Sequence, residues 1–103
     1  MGKKRETARK CRQIRRLIDE KQYTAALEII ETLDLRAVPA TEDLYLFADL
    51  YERAGRIDRK KDIYYCVYER TRTSCVLYHL LKLVIRMGDM QEARELFAAY
   101  EVI

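Results

Sequence analysis

Cys75 and His79 are the residues whose types and spacing come nearest to reaction chemistry. Four positions apart on a helix they share a face, and a thiolate beside an imidazole can act as a nucleophile. Such a nucleophile also needs an oxyanion site and an orienting group, and the sequence offers neither. There is no glycine-rich phosphate loop, no His-Glu-x-x-His and no Gly-x-Ser-x-Gly. His79 is the single histidine, and Cys11, Cys66 and Cys75 lack metal-ligand spacing. The expectation is a chain with no catalysis, no metal and no cofactor. Its odd number of thiols points to a reduced, cytoplasmic protein.

Charge is the second kind of chemistry on offer. From Lys3 to Arg16 there are eight basic residues and one acid, Glu6. Residues 1–22 carry nine basic and three acidic groups, net +6, and the remainder is net −3. This asymmetry suits attraction to nucleic acid or to an anionic surface. The candidate patch is Lys3, Lys4, Arg5, Arg9, Arg12 and Arg16. No aromatic residue is interleaved with it, so it lacks a stacking platform for single-stranded bases. A solvated outer face on a terminal helix is the plainer explanation.

The elements that must position these residues are helical. Half of the 103 residues are hydrophobic and 36% are charged, while Gly (three) and Pro (one) are scarce. Residues of that kind lose little on entering a helix. No apolar run approaches the ~18 residues of a membrane span, and the longest, Leu80 to Ile85, contains Lys82. The basic N-terminus has no apolar stretch of the secretory kind. Helices are expected at about 5–20, 23–35, 41–54, 58–71, 74–87 and 89–101. Thr41, Asp58, Asp89 and either Thr73 or Ser74 are read as N-caps, with Asp89 and Glu92 forming a D-x-x-E start signal.

These helices fall into a repeat. At an offset of 33, Leu44 aligns with Leu77, Phe47 with Leu80, Ala48 with Leu81, Tyr51 with Val84 and Gly55 with Gly88. Stepping back 34 residues places Ile14 on Ala48, Leu17 on Tyr51 and Lys21 on Gly55. Tyr23, Ile57 and Met90 then align, as do Ala26, Lys60 and Ala93, and Ile30, Tyr64 and Phe97. Leu44, Phe47, Ala48 and Tyr51 lie at i, i+3, i+4 and i+7 and so line one helix face. Ile57, Ile63 and Tyr64 are expected to face inward. Lys60 breaks the pattern, because it stands where the other segments place alanine at a close helix contact. It must carry its ammonium out along its apolar stem, or its helix must shift.

At these spacings the chain resembles the tetratricopeptide repeat family, whose helix pairs are about 34 residues long. The third segment matches best, through Leu77, Leu80, Gly88, Ala93 and Phe97. The second departs at Lys60, and the first at Lys10, Gln13 and Lys21. The resemblance implies an all-α fold: a right-handed stack of three antiparallel helix pairs, a TPR-like α-solenoid of about six helices. It implies one domain over 1–103, with units at about 7–40, 41–73 and 74–103 after a basic extension at 1–6. The last helix ends in "LFAAYEVI", apolar and without a polar cap. Either further repeats of a parent chain follow, or the end packs on a partner or on itself.

The resemblance also places a groove on the concave face, lined by the first helix of each pair. Its candidate partner-binding residues are Arg12, Arg15, Tyr45, Asp49, Tyr78, Lys82 and Arg86. Tyr45 and Tyr78 are 33 apart and are expected to form neighbouring rungs. Family members that grip a peptide's C-terminal carboxylate use Lys, Arg and Asn at set positions. Here those positions hold Cys11, Arg15, Leu46, Cys75 and His79, so no such clamp is implied. The function implied is a non-catalytic scaffold that binds a protein or peptide, cytoplasmic, with no membrane span. Binding of nucleic acid or an anionic surface through the basic N-terminal helix is the alternative.

Overall fold

The computed structural model describes residues 2–102, with side chains described for 4–101. The described residues form six α-helices and contain no strand. They are α1 (Gly2–Asp19), α2 (Tyr23–Ile30), α3 (Thr41–Arg53), α4 (Ile57–Thr71), α5 (Ser74–Arg86) and α6 (Met90–Val102). A short 3-10 turn, Leu35–Ala37, links α2 to α3. Each helix packs on its neighbour in the chain. No helix among the described residues is long and apolar enough to cross a membrane.

The helix joints repeat in detail. Lys21, Gly55 and Gly88 all have positive φ, at 61°, 77° and 78°. At each joint this residue donates to a carbonyl three residues back, and the next residue donates to one five back: Gln22 to Leu17, Arg56 to Tyr51, Asp89 to Val84. Those bonds satisfy carbonyls that the helix end would otherwise orphan. Glycine adopts this backbone freely, but lysine pays about 1–2 kcal/mol in steric strain. Lys21→Gly is therefore expected to raise folding stability by about 1 kcal/mol, part of the relief being offset by the freer unfolded chain. Urea unfolding followed by circular dichroism measures it, and an unchanged or lower midpoint would refute it.

The caps differ from expectation in two places. The residue after each positive-φ position is the N-cap, so Arg56, not Asp58, begins α4. Asp58 lies inside the first turn and accepts from the Arg56 guanidinium at 3.3 Å. That bond is the main cause holding its carboxyl below the usual range. Ala40, not Thr41, precedes α3 and offers no side-chain cap. Asp89 does cap α6, accepting from the Glu92 amide at 3.1 Å, and Thr73 caps α5 through the Val76 amide. The Glu92 carboxylate turns instead to α4, where it meets Lys61 at 3.0 Å and the Tyr65 hydroxyl at 2.9 Å. The amide it would have reached on Asp89 is already bonded to Val84.

α2 stops at Ile30, five residues before the expected end. The Thr32 hydroxyl donates to the Ile29 carbonyl at 2.7 Å, and the Asp34 carboxylate accepts from the Arg36 amide at 3.1 Å. Short polar side chains of this kind offer the backbone partners that compete with a continued helix. Arg70 of α4 holds the resulting turn, donating to the carbonyls of Leu35, Arg36 and Val38. α1 begins at Gly2, ahead of the expected start at about residue 5.

The core has two clusters. The larger holds Ile14, Ile30, Leu44, Phe47, Tyr51, Ile63 and Val67 with their neighbours. The smaller holds Leu77, Leu80, Val84, Ala93 and Leu96. Tyr64 and Tyr68 of α4 pack against both. Ile63 is buried as expected, while Ile57 and Tyr64 are only half-buried. Phe97, expected as an apolar landmark, is exposed.

Candidate functional site

α3, α4 and α5 together present a run of rings. Tyr45 on α3 meets Tyr64 on α4 edge-on, with centroids 6.0 Å apart. Tyr64 stacks on His79 of α5 at 6.1 Å, and His79 meets Tyr78 at 6.0 Å. The two expected rungs, Tyr45 and Tyr78, are thus joined through Tyr64 and His79. Both remain among the exposed large side chains. Burial is the main cause that pushes the Tyr64 phenol up from its ordinary range, with Tyr45 and Asp49 adding to it. It therefore stays a neutral hydroxyl at physiological pH. Lys82 lies over the Tyr78 ring at 5.5 Å, within cation–π range.

Beside the rings is a recess of about 220 Å³ lined by Glu52, Lys60, Tyr64, His79, Lys82, Leu83 and Arg86. Glu52 is its hub. Arg86 donates to it at 3.0 Å and Lys60 at 3.3 Å. The Arg86 bond is the largest cause holding the Glu52 carboxyl below its usual range. Lys60 thereby keeps its place: its stem is largely buried while its ammonium reaches Glu52 and the Tyr64 ring. With Lys82 also in the lining, the recess holds three cations against one carboxylate and carries net positive charge.

The other expected groove residues divide. Arg15 is committed to Asp43, an ion pair that joins α1 to α3. Asp49 pairs with Arg53 one turn away at 3.9 Å, on an exposed surface where such pairs count for little. Arg12 lies apart from the rings, on an open face of α1 with Arg9, Gln13 and Arg16. Of the basic candidates, Arg9, Arg12 and Arg16 share that face. Lys4 lines a different crevice with Arg36, Pro39 and Arg70. Arg5 is exposed, and the side chain of Lys3 lies outside the described residues. Lys10 is drawn off by Glu6 and Thr32.

Glu52 and His79 were expected on the groove-facing side of their helices, whereas Tyr64 and Lys60, on α4, are the site residues that sequence reasoning did not place there. The clue was the misfit at Lys60, since a lysine at an alanine position needs an acid within reach. Cys75 is exposed, Cys66 is half-buried and Cys11 is buried. Burial is the main cause raising the thiols of Cys11 and Cys66 above the ordinary range. Compared with known proteins, the chain matches no protein-family model, no curated protein and no solved structure.

Proposed function

We propose that this chain is a TPR-like module, a right-handed stack of three antiparallel helix pairs, and that it works as a non-catalytic protein-interaction scaffold. Two observations support the architecture. The same joint geometry recurs at Lys21, Gly55 and Gly88. The extents are 39 × 30 × 18 Å, and the radius of gyration of 14.5 Å exceeds the ~13 Å of a compact domain this size. In this reading α3 and α5 line the concave side.

The ring run carries the functional reading. Tyrosine offers large contact area and a hydroxyl at low entropic cost, which makes it a frequent anchor in interfaces. Tyr45 and Tyr78 hold the ends of the run, and the positive recess stands beside it. The occupant is an extended peptide or partner segment with aromatic and acidic side chains. Peptides selected from a display library on the intact chain provide the test. Their affinity, read by fluorescence polarisation, is expected to fall at least about tenfold in Tyr45→Ala and in Tyr78→Ala, a loss of ~1.4 kcal/mol each. Wild-type affinity in both variants, or no enriched peptide at all, would sink the reading.

The open face of Arg9, Arg12 and Arg16 favours a second reading, binding to nucleic acid. That reading requires affinity for a 20-base-pair duplex that drops steeply with salt and is lost when the three arginines become alanine.

A further inference from the structure

Three segments carry an apolar pair at matching positions, 34 and 33 residues apart: Ile30 with Leu33, Tyr64 with Val67, and Phe97 with Tyr100. The first two pairs are covered. Ile30 and Val67 are fully buried, and Leu33 and Tyr64 pack against the core. α3 lies on α2 and α5 lies on α4. The third pair is open, with Phe97 50% and Tyr100 39% exposed. Ile85, on α5, is exposed as well. The face of α6 therefore repeats, in residue type and sequence position, two apolar pairs that are covered elsewhere in the same molecule.

The charges along α6 indicate which helix. Met90, Arg94, Phe97 and Glu101 recur at intervals of four, three and four, so they form one stripe along the helix. Arg94 and Glu101 flank the phenylalanine and have no ion-pair partner among the described residues. Between them Leu96 to Tyr100 is uncharged. We propose that α6 is a homodimer interface, crossed antiparallel by α6 of a second copy. With the two-fold axis between Phe97 and Ala98, Arg94 of each copy stands opposite Glu101 of the other. A parallel crossing would set like charges together. Head-to-tail stacking is disfavoured too, because α1 offers an open face of Arg9, Arg12 and Arg16 rather than an apolar one.

Sedimentation equilibrium on the full chain tests this. The mass is expected to rise with concentration from 12.3 kDa toward twice that value. Phe97→Glu should hold the chain monomeric with an unchanged helical spectrum, since the side chain is exposed in the monomer. Arg94→Glu should weaken dimerisation roughly tenfold, and adding Glu101→Arg should restore it. Tyr45→Ala and Tyr78→Ala should dimerise normally, which separates this surface from the ring run. A wild-type mass fixed at 12.3 kDa up to roughly 1 mM would overturn the proposal and leave the face to another protein or to further helices. A dimer that survives Phe97→Glu would overturn it equally, and failure of the charge swap would overturn the antiparallel crossing.

Discussion

Phe47→Ala is expected to remove about 3–5 kcal/mol of folding stability, measured by urea unfolding. Phe47 is fully buried in the larger cluster. It sits on α3, which packs on both α2 and α4, so a cavity there is walled by three helices and has little room to collapse. Domains of this size are stable by only about 5–15 kcal/mol, and the variant should approach the threshold of folding. Phe97 is the only other phenylalanine and supplies the contrast. Its alanine variant should lose about 1 kcal/mol at dilutions where the chain is monomeric, because half of the side chain is already in water. Equal losses in the two variants would mean that the core is not where the structure puts it.

Arg15→Ala carries the second large effect, about 1–3 kcal/mol, and the asymmetry with its partner is the sharper result. The Asp43 side chain is only 9% exposed, whereas that of Arg15 is 43% exposed. Removing the arginine leaves a buried carboxylate without its cation, and the desolvation cost of that group goes uncompensated. Removing the aspartate leaves a guanidinium that water can reach. Asp43→Ala should therefore cost less than Arg15→Ala. Chemical denaturation of both variants measures the difference, and the reverse order would refute this account of the pair.

Much of the backbone plan was legible in the sequence, because glycine and apolar spacing act locally. Gly55 and Gly88 mark the helix ends by the backbone they adopt, and the 33- and 34-residue offsets carry that mark to Lys21, where the residue type alone would not. The cap of α4 was misread at Asp58 because an acidic residue near a helix start resembles a cap. Its place is set by the positive-φ residue before it, which fixes Arg56. The early end of α2 depends on side-chain bonds from Thr32 and Asp34, whose balance against a further helical turn is too fine for periodicity to decide. The site was less legible than the fold. Tyr64 joins Tyr45 to His79, and Glu52 joins Lys60 to Arg86, through long side chains on different helices. Arg15 looked free because Asp43, 28 residues away, shows no local sign of being its partner.

The packing of every helix on its neighbour in the chain has a consequence for speed. Contacts between adjacent helices close only short loops, so the search for partners is brief and the entropy lost before each contact forms is small. A chain wired in this way has few distant pairings to await and can begin to condense at either end. Folding in microseconds to milliseconds is the natural regime for such a topology. The seam made by Tyr64 and Tyr68 is then the step at which two locally formed halves become one cooperative body.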